Sequence, residues 1–229
     1  MLSIEEVYQK MAEIGCCSFA TLDGDGVDSR IAHFFAFDDE GLYLRTMTVK
    51  PFFRQLLNGG KLSVCGEKTE GPCTWDEDHM PHFQPGYMMR MSGDVRLLSL
   101  DETKQKEDEN PMFHVSAYDR KKYPETRVFV LHRAWGELYN YDFNLVHMDH
   151  KILRERFGWG GARYEEPGLT IDGEICISCG KCALVCTHRA IVPGEPYSIR
   201  GAWCDECGNC WHVCPVGAVI SKGPGEIPD

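Results

Sequence analysis

The chain has little positive charge, no long apolar run and no basic leader, and each shortage closes off a class of function. Lys and Arg number 24 against 35 Asp and Glu, a formal net charge of −11 in 229 residues. Neutralising a phosphate backbone needs a basic face, so this balance argues against a nucleic-acid partner. It argues equally against docking on anionic lipid. No stretch approaches the roughly 18 apolar residues that suggest a membrane-spanning helix. The opening segment, MLSIEEVYQKMAEIG, is acidic and amphipathic and lacks the basic start and apolar run of a secretory signal. A cytoplasmic setting is therefore expected, and in that reducing compartment disulfides are disfavoured.

Cysteine, by contrast, is plentiful and unevenly placed. Cys16, Cys17, Cys65 and Cys73 are scattered along the first 170 residues, whereas eight of the twelve cysteines fall between 176 and 214. Such crowding reads as metal ligation. The change in composition marks a domain boundary, and the stretch from Gly158 to Gly168 just ahead of it is dense in Gly and Pro, as linkers are. The expected organisation is a first domain over residues 1–150, a linker over 151–169 and a small second domain over 170–229. A hydrophobic share of 43% is ample for a packed core.

The crowded segment is a repeat. ICISCGKCALVCTHRAI, from Ile175, aligns with WCDECGNCWHVCPVGAV, from Trp203, at an offset of 28 residues. All four cysteines coincide, as do Gly180 with Gly208, Val185 with Val213 and Ala190 with Ala218. Each copy reads C-x2-C-x2-C-x3-C. Three cysteines in a tight loop suit one side of a cubane cluster, and the fourth, expected to open a short helix, points elsewhere. Four-cysteine zinc sites use two C-x2-C pairs with a longer loop between them, which is a different frame. The segment closely resembles the bacterial two-cluster ferredoxins. That resemblance implies two 4Fe–4S clusters with crossed ligation: Cys176, Cys179, Cys182 and Cys214 on one, and Cys204, Cys207, Cys210 and Cys186 on the other. Pro215 follows the last cysteine as the family pattern expects, while Thr187 takes that place in the first copy. No cysteine is missing, so neither cluster has an open iron for a substrate, and electron carriage is the expected role.

The first domain reads as strands with few helices. Ser3 and Glu6 form an S-x-x-E capping box ahead of Ile4, Val7, Tyr8, Met11 and Ile14, and Gly15 ends that helix. Strands are expected over 17–22, 27–37, 42–48, 61–66, 87–98 and 127–142, with turns at 23–26 and 38–41. Helices are expected over 51–58, with Pro51 at its first position, and over 101–109; residues 110–126 read as loop or short helix. Many strands with short turns suggest a closed antiparallel barrel. Thr46 and Thr48 share one face of a strand, and Lys50 follows at a helix N-terminus, where free N–H groups favour an anion. With Arg30 on the neighbouring strand, this suits a phosphate; solvated cations beside a helix cap read equally from the residues alone.

The run from Cys17 to Gly66, with MRMSGDVRLLSLDETKQK and WGELYNYDF further on, resembles the pyridoxamine 5′-phosphate oxidase-like family of FMN-binding split barrels. The resemblance extends over about 140 residues. It implies an α+β chain: an N-terminal antiparallel split β-barrel with a few helices, joined to the small ferredoxin-like domain with two 4Fe–4S clusters. It also implies a homodimer with FMN at the subunit interface. The phosphate would meet Arg30, Thr46, Thr48 and Lys50, and the ring system would lie along His33, Phe34 and Phe35 and the edge formed by Arg45 and Thr46. The segment between Cys65 and Tyr87 is longer than a usual hairpin of that family and carries Trp75, His79, His82 and Phe83. It reads as a lid or substrate wall, or as a surface loop. Cys17 and Cys65 fall in strand patterns and read as core, and Arg120, Lys121 and Lys122 form either a docking patch or a solvated face.

Together the two resemblances imply an FMN-dependent iron–sulfur oxidoreductase. Electrons would pass, in either direction, between a carrier protein or nicotinamide-linked donor, the two clusters, FMN and an unidentified small molecule. The alternative is a non-catalytic electron-transfer or redox-sensing protein, because no acid–base or nucleophilic constellation stands out. Tyr87, His82 and His33 are the candidates for moving a proton. Haem, known among relatives of this barrel, would look to His33 or His79. An oxygen-using oxidase sits poorly with paired 4Fe–4S clusters, which suit an anaerobe.

Overall fold

A computed structural model describes residues 2–82, 84–140, 153–163 and 168–221. The chain divides into one unit of Met1–Lys68, Tyr87–Leu138 and Glu155–Tyr164 and a second of Thr69–Gly86, Tyr139–Arg154 and Glu165–Asp229. Among the described residues, no helix is long and apolar enough to cross a membrane.

The first unit opens on α1 (Ile4–Ile14). The Glu6 N–H donates to Ser3 Oγ at 3.2 Å and the Ser3 N–H donates to the Glu6 carboxylate at 2.8 Å, the reciprocal cap written in the sequence. Strands β1 (Cys17–Asp23) and β2 (Gly26–Ala32) form a hairpin paired from Cys17↔Ala32 to Asp23↔Gly26, which leaves Gly24-Asp25 as a two-residue turn. Then come β3 (Ala36–Asp38), β4 (Gly41–Met47), α2 (Pro51–Gly59) and β5 (Lys61–Thr69). After β6 (Thr74–Trp75) and β7 (Pro81–His82), which belong to the second unit, follow β8 (Gly86–Leu97), α3 (Leu100–Glu109), α4 (His114–Lys122), β9 (Thr126–Asn140) and β10 (Leu153–Trp159).

Closure of the sheet follows from its topology. The hydrogen-bonded path runs β2-β1-β5-β8-β9-β4-β3, with β10 added beside β9. Laid flat, its two edges would stand roughly 29 Å apart at about 4.8 Å per strand. Only His33, Phe34 and Phe35 separate β2 from β3, a link that reaches at most about 14 Å. The sheet must therefore curl until its edges face each other, and since the path ends at β2 and β3 the closure is a split barrel. The single strand expected over 27–37 is thus two strands, one for each edge. The apolar run Phe34-Phe35-Ala36-Phe37 hides the break because it stays buried or half-buried throughout.

Strand periodicity sorts the core into two layers. Phe129 and Leu131 of β9 join Phe19, Leu42, Leu44 and Leu62 in one cluster. Val128 and Val130 face the other way and meet Phe35, Tyr43, Leu98 and Phe113. Phe113 comes from a 3-10 turn (Pro111–Phe113) between α3 and α4, in the segment expected as loop or short helix. Residues expected as linker also differ. In β10, Phe157 and Trp159 alternate into the first cluster, and the Trp159 indole N–H donates to the Leu131 carbonyl at 2.9 Å. Two of the glycines there, Gly160 and Gly161, serve the turn after the strand, at φ 63 and 79. Tyr141 and Asp142, expected to extend β9, and residues 164–167 of the expected linker lie outside the described residues.

The second unit carries the repeat as backbone geometry. β11 (Leu169–Ile171) pairs with β14 (Val219–Ser221), and β12 (Ile191–Val192) pairs with β13 (Ser198–Ile199). The outer strand of each copy thus pairs with the opposite end of the other. Positive φ recurs at the same offset: Ser178 and Glu206 at 52 and 61, Gly180 and Gly208 at 73 and 81, Arg189 and Gly217 at 50 and 68. Gly180 and Gly208 are the N-caps of α5 (Lys181–Leu184) and α6 (Asn209–Val213). These helices carry the third cysteine of each motif and end before the fourth, whereas the sequence reading had the fourth cysteine opening them.

Candidate functional site

A cavity of about 550 Å³ lies in the first unit, lined by Arg30 and His33 near one sheet edge, Arg45 and Thr46 of β4, and Lys50 and Phe52 around the start of α2. Asp28, Asp119 and Thr126 complete its polar lining. That volume falls in the range of small-molecule sites. Of the residues expected to hold FMN, Arg30, His33, Arg45, Thr46 and Lys50 are brought together here. Phe34, Phe35 and Thr48 are not. Phe34 packs on Phe19 with ring centres 4.9 Å apart, and Phe35 packs on Phe113 at 5.2 Å, because the link between the sheet edges drives both rings into apolar layers. Thr48 donates to the Glu125 carboxylate.

The two arginines are held in place by neighbours. Arg30 donates at 2.6 Å to Thr21 Oγ1, to Asp28 and to Gln55 Oε1, and its guanidinium lies 4.3 Å from the Phe52 ring centre. The hydrogen bond from Gln55, and then the charge of Arg30, hold the Asp28 carboxyl below its ordinary value. Arg45 pairs with Asp119 of α4 at 2.5 Å and stacks 5.1 Å above Phe35. Lys50 is the N-cap of α2, ahead of Pro51, and among the described residues it has no carboxylate partner. Thr126 is 2% exposed, lines the cavity and has no hydrogen-bond partner for its hydroxyl. An unsatisfied buried hydroxyl costs about 1–3 kcal/mol. A polar ligand in the cavity would remove that cost, and a phosphate would meet Lys50 at a helix N-terminus. The residues present therefore fit a flavin nucleotide. Thr126, Asp119 and Gln55 escaped the sequence reading because each arrives from a distant element with no local motif.

In the second unit, Cys176, Cys179, Cys182 and Cys214 line one small cavity, and Cys186, Cys204, Cys207 and Cys210 line another. Each set takes three cysteines from one copy of the repeat and the fourth from the other. Crossed strand pairing brings this about, since it sets the end of each copy against the start of its partner. Among the described residues, no three His, Cys, Asp or Glu side chains converge as a single ion requires. A zinc ion gathers sulfurs at about 2.3 Å from one point, whereas four cysteines around a cavity suit a polynuclear cluster. Backbone groups already point at the sulfurs: the Ala190 N–H donates to Cys186 Sγ and the Ala218 N–H to Cys214 Sγ, both at 3.2 Å. Burial pushes the Cys210 thiol up to about 11 and raises Cys182 and Cys204 as well, so a metal bound there would have to displace protons. At Cys214 burial acts in the same sense, but N–H groups from Val216 to Val219 outweigh it and lower the thiol.

The other candidates scatter. Tyr87 donates to Glu13 at 2.7 Å and to the Lys10 carbonyl at 3.0 Å, away from the cavity lining. His82 lies 3.0 Å from Asp76 in the β6–β7 hairpin, where Trp75 is exposed and His79 has φ 60. Phe83 lies outside the described residues. Of the three proton-moving candidates, His33 alone lines the cavity. Cys17 is buried as expected, but Cys65 is exposed, because β5 turns Leu62 and Val64 inward and its odd-numbered residues outward. Arg120 does not join Lys121 and Lys122 in an open patch: it pairs with the buried Glu107, which also accepts from Ser116 at 3.0 Å.

Residues 169–192 match the 4Fe-4S binding domain family. Among curated proteins none matches the chain. Similar solved structures include a NimC/NimA family protein from Clostridium acetobutylicum, 19% identical, with 69% of this chain and 94% of that one aligned at a TM-score of 0.47. An FAD and haem binding protein from Mycobacterium smegmatis is 17% identical over 58% of this chain and 67% of its own, at a TM-score of 0.46. A candidate pyridoxamine 5′-phosphate oxidase from Listeria innocua is 14% identical over 55% and 89%, at 0.37. The chain is thus an α+β protein with an antiparallel split barrel and, at residues 169–192, a 4Fe–4S binding domain.

Proposed function

We propose that this protein is an iron–sulfur flavoprotein oxidoreductase. Electrons pass between an external carrier or nicotinamide-linked donor, two 4Fe–4S clusters, FMN and a small molecule. One observation carries the proposal. A polar cavity with an unpartnered lysine and an unsatisfied buried threonine occurs in the same chain as two four-cysteine nests. When bound, FMN exchanges electrons singly or in pairs, which matches one-electron clusters to two-electron chemistry.

The chain's own residues set the terms. Lys50 and the start of α2 take the phosphate, and Thr126 donates to a polar edge of the ligand. Arg30 and Arg45 stay aimed by Asp28 and Asp119, and His33 is the residue placed to hold or give a proton at the cavity lining. The eight cysteines hold the clusters in crossed sets, Cys176, Cys179, Cys182 and Cys214 against Cys186, Cys204, Cys207 and Cys210. FMN at a homodimer interface fits the exposed apolar side chains Val27 and Ile31 on edge strand β2, which also forms one side of the cavity.

A second reading, a carrier or redox sensor without turnover, draws support from the pairing of Arg30 and Arg45 with carboxylates of their own chain. The two readings part on flavin. In Lys50→Ala, loss of one charged hydrogen bond to phosphate, about 1.5–3 kcal/mol, weakens FMN binding roughly 10- to 150-fold while iron content stays unchanged. Equilibrium dialysis of released and re-added FMN reads the effect. Undiminished affinity in that variant removes Lys50 from the phosphate site, and a wild-type chain that binds no FMN favours the carrier.

A further inference from the structure

The two cysteine nests share a backbone but not a charge environment. Beside its cysteines, the first is lined by Ile171, Ile177, Tyr197, Val216, Ala218 and Val219, with no charged side chain. The second is lined by Leu169, Ala190 and Ile191 but also by His188, Asp205, Glu206 and Asn209. The difference is written in the repeat: at the offset of 28, Asp205 stands where Ile177 does, Glu206 where Ser178 does, and His188 where Val216 does. One pair of backbone donors is matched between the nests. The bonds from Ala190 to Cys186 and from Ala218 to Cys214 have the same length of 3.2 Å. A longer bond of 3.4 Å from the Glu206 N–H to Cys204 acts weakly in the opposite sense.

Counter-charge comes from Arg154. Its guanidinium is 3.1 Å from Glu206 and 3.9 Å from Asp205, and it lies 5.5 Å from the Tyr139 ring centre. The side chain is 13% exposed and its Nε has no partner, so this cation stands at the carboxylates with little solvent around it. His188 Nε2 faces Asp205 at 3.6 Å. Two carboxylates against one guanidinium leave the second nest the more negative.

We infer that Asp205 and Glu206 make the cluster held by Cys186, Cys204, Cys207 and Cys210 the harder of the two to reduce, and that Arg154 limits the gap. This rests on the two-cluster reading proposed above. Reduction adds one electron to a cluster and makes or breaks no bond, so only the added negative charge matters. A nearby carboxylate opposes that charge and a guanidinium favours it. The first electron to enter the pair therefore rests in the apolar nest, and the second goes to the acidic one.

The test is a potential-controlled dithionite titration of the whole chain, purified anaerobically, followed by electron paramagnetic resonance with iron counted in the same samples. Two reduction steps are expected. In the Asp205→Asn/Glu206→Gln variant the lower step moves up by about tenfold or more in the reduced-to-oxidised ratio at fixed potential, which is about 59 mV for a one-electron couple. The upper step stays in place. In Arg154→Gln the lower step moves the other way, a sign reversal that general loosening of the fold does not produce. With about eight irons per chain, movement of the upper step, or of neither, overturns the role given to these charges. A wild-type chain with only about four irons overturns the two-cluster reading itself, and the inference with it.

Discussion

The barrel and the cysteine module solve the problem of an interior in different ways. In the barrel nineteen buried residues form one apolar cluster, from Val7 of α1 to Trp159 of β10. In the module the buried cluster is Ile191, Cys210 and Val219, and Cys182, Cys186 and Cys214 are among the partly buried residues packed on it. So small an apolar cluster, even with the buried Ala190 and Ala218, cannot offset the entropy of ordering the rest of the module. Thiols thus occupy the places where a larger domain would set leucines, and the module's folding energy must come from what those thiols bind. The barrel needs no such help. Its cavity is an addition to a finished core, lined by Arg30 and Arg45, which already have carboxylate partners, and by Lys50, which among the described residues has none.

The largest expected effect separates the two directly. Stripping iron with a chelator under reducing conditions should unfold the cysteine module and leave the barrel's cooperative transition intact. Circular dichroism and limited proteolysis read this, with cuts appearing between 176 and 214; a module still resistant without iron would show that its small core suffices. One step finer, Cys214→Ser should cost the cluster of the first nest, about half the iron, because that cysteine serves the motif from which it is remote in sequence. Loss of the other cluster instead would contradict the crossed sets. The converse change, Phe129→Ala, should cost the barrel about 3–5 kcal/mol in urea unfolding without lowering iron per folded chain.

The smallest effect is a pH dependence confined to the barrel. Burial would raise the Asp38 carboxyl, but hydrogen bonds from Lys106 and Tyr43 and from the Glu40 N–H outweigh it and hold it below its ordinary value. A carboxyl lowered on folding contributes stability that is present above the unfolded value, about 3.9, and is lost as pH falls through the folded one. Barrel stability should therefore decline as pH falls through and below that value, and Lys106→Met should flatten the decline. An unchanged slope in the variant would remove the pair from the barrel's acid sensitivity.

How much of this was legible in the sequence follows the range of the interactions. Local signals carried: the Ser3–Glu6 cap, the Asp23–Gly26 hairpin and the repeat of 28 residues all involve neighbours or ligand spacing. Interactions between distant segments did not carry. The break at His33–Phe35 is invisible in a continuous apolar run, since only pairing with β1 on one side and β4 on the other divides it. Lys50 and Arg30 were readable as cations near a helix start, whereas Thr126 reached the cavity only through its register opposite Met47. Ligand spacing fixes distances between sulfurs and not the backbone between them, so it does not reveal that the short helices carry the third cysteine and end before the fourth.

The decisive measurement is the cofactor content of the anaerobically purified chain: iron, acid-labile sulfide and released flavin. About eight irons, eight sulfides and one FMN per chain is the expected result. About eight irons with no flavin, even after FMN is offered, would contradict the flavoenzyme and leave an iron–sulfur carrier.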